Sequence, residues 1–184
     1  MGSPLPPLEG GMASVADGMM ACLADEFKIL GINTGKLTSE KRSIFKGIKS
    51  QFQLRKRVKR DCKDNPGSIF HIHTCSGMPF WRDGWLVKAA KRKGAKVAMH
   101  IHGARFLEFL SQLGPIRRML AKSILERCDA VIMLGDSLKQ KMKQLDIAPD
   151  ANYVVVHNGV EIGSQLADES GATFLFLGNY GHRK

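Results

Sequence analysis

Short apolar runs alternate with longer stretches of helical periodicity along this chain. Met12, Val15, Met19, Met20 and Leu23 recur at helical spacing within residues 12–26 and share one helical face. Phe27 to Ile32 (FKILGI) reads as a short strand. Thr38-Ser39-Glu40 offers cap chemistry for a helix that runs through a basic stretch to about Arg60. Asn65-Pro66-Gly67 marks a turn, and Ser68 to His73 (SIFHIH) reads as a buried strand. A helix over 82–94 ends at Gly94, and Ala95 to His102 (AKVAMHIH) is the next strand. Gly114-Pro115 opens a helix through Arg127, and Asp129 to Leu134 (DAVIML) is a strand. Asp136 caps a helix to about Asp146, and Tyr153 to His157 (YVVVH) is a further strand. A polar segment follows, and Thr173 to Leu177 (TFLFL) begins another strand.

Strands alternating with helices predict βαβ units. The expected fold is α/β, a doubly wound, Rossmann-like parallel sheet covered on both faces. Residues 1–162 read as one domain, 163–172 as a linker and 173–184 as the start of a second unit. In such a sheet the first loop follows a central first strand. Here the loop Pro4 to Gly11 opens the chain with no apolar run ahead of it. A vacancy is therefore expected at the central position. Either the strand Phe174-Leu175-Phe176-Leu177 pairs into it, or the isolated chain is marginal and prone to aggregate.

Composition narrows the class. The chain has 184 residues, 43% hydrophobic and 24% charged, enough for a packed core of ordinary size. No apolar run reaches the roughly 18 residues of a membrane span. Met1 to Gly11 lacks the basic and apolar regions of a signal peptide. Four scattered cysteines (Cys22, Cys62, Cys75, Cys128) form no CxxC pair, so reduced thiols and a cytoplasmic location are expected. The net charge of +11 favours an anionic partner. Ten basic residues lie between Lys41 and Lys63, against Asp61 alone. An amphipathic basic helix of this kind docks on anionic lipid, with Lys46, Lys49, Arg55, Lys56 and Lys59 as the contact residues. A solvated helix face is the plainer alternative. Aromatics are scarce in the stretch and no DNA or RNA module is present, so no nucleic-acid partner is expected.

Ligands of a parallel sheet bind outside the carboxyl ends of its strands, and four features collect there. The loop through Gly10 and Gly11 leads into a helix. Glycine lets backbone approach a ligand, and a helix start offers N–H groups to an anion. His71-Ile72-His73 and His100-Ile101-His102-Gly103 each end a strand, and a spacing of two puts each His pair on one face. Imidazole is a metal ligand, but no carboxylate or cysteine cluster completes a set, so no metal is expected. One ring of each pair is instead expected in the cleft, with His102 preferred because the chain turns at Gly103. His157-Asn158-Gly159 closes the last strand in a tight turn. Gly31 to Thr38 fails as a P-loop in both spacing and residue type, and neither GxSxG nor GxGxxG occurs.

The order of these features resembles glycosyltransferase family 4, the retaining GT-B transferases, over essentially the whole chain. The residues that carry it are the Pro-rich Gly10-Gly11 loop, the strand ending at His73, the His102-Gly103 end followed by an aromatic loop (Arg105, Phe106, Phe109), the Asp129–Leu134 strand leading to Ser137, Asn158-Gly159-Val160, and Phe174 to Gly178. The resemblance implies the N-terminal, acceptor-side half of a two-domain enzyme that uses a nucleotide-sugar donor without a metal or other cofactor. It implies that Gly10 and Gly11 approach the donor phosphates and the transferred sugar, that His102 touches that sugar, and that His73, Gly103, Arg105 and Asn158 lie along the cleft. The acceptor would be a sugar or a lipid-linked one, at the inner face of the membrane. The donor-binding half, with its basic diphosphate clamp and Glu-x7-Glu segment, would lie after Lys184, leaving the isolated chain inactive. The alternative is a non-catalytic carbohydrate- or membrane-binding module.

Overall fold

A computed structural model of the chain describes residues 1–7, 10–35, 44–103 and 105–159. Its elements are β1 (Gly2–Ser3), α1 (Gly11–Leu23), β2 (Ile32–Asn33), α2 (Ile44–Asp64), β3 (Ile69–Thr74), α3 (Met78–Lys91), β4 (Lys96–Ile101), α4 (Phe106–Ser111), α5 (Pro115–Leu125), β5 (Ala130–Met133), α6 (Asp136–Gln144) and β6 (Tyr153–Val155). The strands form one sheet in the order β2-β1-β3-β4-β5-β6, and every pairing is parallel. The chain is thus an α/β parallel-sheet domain, consistent with a GT-B-like Rossmann fold.

β3 and β4 form the spine, paired in register from Ile69↔Lys96 to Thr74↔Ile101. Alternation along them sorts two faces. Phe70, Ile72, Val97, Met99 and Ile101, with Val131 and Met133 of β5, turn to the face that holds the main core. Val58 of α2, Phe80, Leu86 and Val87 of α3, Leu125 of α5 and Met142 of α6 join that core. Each large side chain buried there contributes about 1.5–3 kcal/mol. The other face carries His71, His73, Ala98, His100 and Ile132. Ser3 shares this side, and its hydroxyl reaches the Met12 carbonyl of α1 at 3.5 Å. So α1 covers the histidine face, with Ala13 and Ala16 buried beneath it.

Three expectations need correction. The central position is not vacant. Gly2–Ser3 fills it, pairing with Ile32 and Asn33 on one side and Ile72 on the other. Two residues without an apolar side chain suffice because the position needs only ladder hydrogen bonds, and an added Cβ on Gly2 would meet the Phe70 ring at 3.4 Å. The apolar run Phe27 to Ile32 is not a strand as a whole. Only Ile32 pairs, and Phe27 and Leu30 are exposed. The segment behind Arg105 is not a loop but α4. In α1 the five large apolar residues are only half-buried, while the small Ala13 and Ala16 make the close contact. The expected helix cap at Thr38-Ser39-Glu40, the linker 163–172 and the strand 173–177 lie outside the described residues.

Candidate functional site at the carboxyl edge of the sheet

The loops leaving β1, β3, β4, β5 and β6 all emerge at one edge. Gly10 stands immediately before α1 with φ of 142°, a conformation that side chains resist. Its carbonyl accepts the Ala13 and Ser14 N–H groups at 2.9 and 3.1 Å, which starts the helix. A Cβ added to Gly10 or Gly11 would meet nothing within 4 Å, so this backbone is open to a ligand. Gly103 turns the chain after β4 at φ of 112°. That turn lets His102 end the strand while α4 begins at Phe106.

The histidines form one cluster. His73 and His100 sit opposite each other in the register. The His73 and His102 rings stack with centroids 5.0 Å apart, and His73 Nδ1 lies 2.9 Å from His102 Nε2. His71 stacks on His73 at 4.7 Å, and His100 lies 4.3 Å from His102. His73, His100 and His102 are buried, and His71 is half-buried. Burial above all pushes the pKa values of His71, His73 and His100 well below the ordinary value; the Met1 amino group and then His102 add to this at His71, and neighbouring imidazoles add to it at His73 and His100. Burial alone lowers His102. All four rings are therefore neutral near pH 7. His71 Nε2, His73 Nε2 and both nitrogens of His100 have no hydrogen-bond partner among the described protein atoms. A buried polar atom left so costs about 1–3 kcal/mol.

The expected site residues fall into two groups. His73, His102 and Gly103 come together, and Gly103 also lies beside Cys75, whose Cβ would be 3.9 Å from an added Cβ. Gly10 and Gly11 open the neighbouring α1. Arg105 is exposed and engages Glu108 with two hydrogen bonds, at 2.8 and 3.0 Å. Asn158 is exposed past the end of β6, near His157, whose ring approaches Gly135. On α2, Lys49 and Lys56 are exposed while Arg55 and Lys59 are half-buried. The side chain of Lys46 and residue Val160 lie outside what the structure describes.

Sequence reasoning missed a buried ion pair behind this edge. Asp83 of α3 is fully buried, and Arg82 grips its Oδ1 at 2.8 Å. Burial raises the Asp83 pKa against the pull of that guanidinium. Arg82 also donates to the Thr34 carbonyl at 2.6 Å, which ties the end of β2 to the start of α3. Adjacent Arg-Asp in a helix carries no distinctive signal. The link between the two His pairs did have one, since two HxH strands adjacent in a parallel sheet can face each other. A cavity of about 530 Å³ has His71 of the cluster in its wall. Met1, Leu23, Phe27, Ile32, Cys62 and Phe70 help line it at the amino ends of the strands.

The sequence model described as Glycosyltransferase Family 4 matches residues 21–163. The match takes in His73, His102 and Asn158 and begins after Gly10 and Gly11. A comparison with curated proteins gives no match.

Proposed function

Because the chain belongs to glycosyltransferase family 4, we propose that it supplies the acceptor side of a retaining sugar transferase. In this reading a nucleotide-sugar donor gives up its sugar to a sugar or lipid-linked acceptor, in polysaccharide or glycolipid synthesis. The bond from the anomeric carbon to the diphosphate breaks, a glycosidic bond of the same configuration forms to the acceptor oxygen, and the acceptor hydroxyl's proton passes to the departing diphosphate. Gly10 and Gly11 bring backbone N–H groups and the α1 N-terminus toward the donor phosphates. His102 is kept neutral by burial, and with Nε2 engaged by His73 its Nδ1 is left to meet a sugar hydroxyl. His73 holds that ring in place through the 2.9 Å contact. Gly103, Arg105 and Asn158 line the acceptor approach.

The observation that carries this reading is the His73–His102 pair at the carboxyl edge, next to the open glycine start of α1. This reading requires a donor half with a diphosphate clamp and a Glu-x7-Glu segment. The reading frame beyond Lys184 tests this: a segment with those features is expected, and a stop without them favours a non-catalytic binding module. In the extended protein, His102→Ala should lower kcat/KM by at least a hundredfold with the fold intact. Unchanged transfer would remove His102 from the site.

The location we propose is the cytoplasm, peripheral at the inner membrane face. No described helix is long and apolar enough to cross a membrane. Support for surface docking comes from α2, where Ile48 and Phe52 are 50% and 54% exposed. Arg55, Lys56, Lys59 and Lys63 follow at spacings that keep them beside those apolar groups. Trp85, 56% exposed, and Lys88 of α3 share a depression with Arg55. Exposed apolar groups flanked by cations fit an anionic lipid surface better than a plain solvated face.

A further inference from the structure

We propose that His71, His73 and His100 bind a divalent first-row transition cation of the zinc type, with His102 as the outer partner that orients His73. Each HxH pair alone supplies only two imidazoles. The register of β3 and β4 joins them, placing His73 opposite His100 with His71 one step back on the same face. Ring centroids lie 4.7 Å apart for His71–His73, 5.0 Å for His73–His100 and 5.5 Å for His71–His100. Each residue offers a ring nitrogen, and these three nitrogens lie within 4.8 Å of one another. Tetrahedral zinc, with Zn–N bonds of about 2.0–2.1 Å, needs nitrogens roughly 3.3 Å apart. Modest ring rotations close that difference, because histidine χ2 is broad.

The chemistry of the set selects the cation. Three neutral imidazoles with no carboxylate suit zinc, nickel or copper, and disfavour magnesium and calcium. The nitrogens without protein partners are the ones a cation needs: His71 Nε2, His73 Nε2 and either nitrogen of His100. His73 Nδ1 is already engaged by His102 Nε2 at 2.9 Å, the outer contact that metal-bound histidines require. A cation on His73 Nε2 leaves the His73 proton on Nδ1, which donates to His102 Nε2. The His102 proton must then sit on its Nδ1. Occupancy would thus set the tautomer of the ring that the proposed function places against the sugar. That last step rests on the proposed function; cation binding does not.

The test is titration of the purified chain with Zn²⁺ by calorimetry and with Co²⁺ by visible absorption, near pH 7.5. One cation per chain is expected, with d–d bands of a nitrogen-bound site and no thiolate charge-transfer band. His71→Gln lies at the half-buried end of the cluster and should preserve the fold, checked by circular dichroism. It should weaken Kd at least tenfold, as should His100→Gln, while His157→Ala and Cys75→Ser should leave Kd unchanged. His102→Ala should weaken it tenfold or more through the outer contact. Nitrogen-15 NMR of the Zn²⁺-loaded chain should show His73 protonated at Nδ1 and His102 unprotonated at Nε2. Absence of stoichiometric binding by the wild-type chain would overturn the site, leaving ordered water as the partner of these rings. Binding that survives both His71→Gln and His100→Gln would overturn it equally.

Discussion

Gly84→Ala tests the packing that holds α3 under the site. Gly84 is buried where α3 meets α5. A Cβ built there would lie 2.4 Å from Cδ1, 2.8 Å from Cγ1 and 3.3 Å from Cγ2 of Ile124. Favourable carbon contacts begin near 3.5 Å, so the isoleucine must retreat by about 1 Å. Rotation about χ1 gives little relief, because a β-branched side chain is stiff there and both its γ carbons are already too close. Overpacking of this kind costs about 1–3 kcal/mol. Replacing a mid-helix glycine with alanine returns about 0.5–1 kcal/mol. The net expectation is a loss of about 1–2 kcal/mol, or roughly 2–8 °C in Tm for a chain of this size. Urea unfolding followed by circular dichroism measures it, with Ile124→Ala completing a double-mutant cycle. Ile124→Ala removes all three clashing atoms, so Gly84→Ala should become neutral or stabilising in that background. A neutral Gly84→Ala in the wild-type background, or an equal loss in both, would refute the close α3–α5 approach.

Asp129 joins β4 to β5 by accepting from Lys91 Nζ at 2.9 Å and from the Val97 N–H at 2.7 Å. Burial works to raise its pKa, but those bonds and the charges of Lys91 and Lys96 outweigh it and leave the carboxyl below the ordinary 3.8. The stabilisation is therefore fully present above that value and is lost as pH falls through the lower folded value. Asp129→Ala should cost about 1–2 kcal/mol at pH 7 in urea unfolding, at the low end for charged hydrogen bonds because the group is one-third exposed, and the gap to wild type should shrink in acid. In sedimentation assays the chain should bind phosphatidylglycerol vesicles and be released by high salt. Ile48→Ser combined with Phe52→Ser should weaken that binding roughly tenfold, about 1.4 kcal/mol, and equal binding to neutral phosphatidylcholine vesicles would rule out the electrostatic docking.

The central strands were legible because their apolar content is high and continuous. β3, β4, β5 and β6 begin within a residue of where their apolar runs do and stop one or two residues from where those runs stop. β1 was not legible, since Gly2 and Ser3 carry no apolar signal and reach their place through backbone pairing alone. β2 misled for the opposite reason. Its apolar run precedes the paired residues, and Phe27 and Ile29 line the cavity at the amino edge instead of entering the sheet. α4 repeats Phe106, Phe109 and Leu110 at helical spacing, but six residues are too few for periodicity to separate from a loop. Strand parity put each His pair on one face. What it could not supply was the register between β3 and β4, and only that register brings four imidazoles together.

The proposed acceptor-side role predicts that the chain alone does not turn over a sugar donor. Nucleotide release by the purified 184-residue chain tests it most directly. The chain is incubated with UDP- and GDP-sugars and a short polyprenyl-linked sugar acceptor, and free nucleotide diphosphate is measured. No release above the protein-free blank is expected. Turnover by the chain alone, abolished by His102→Ala, would contradict the proposed acceptor-side role.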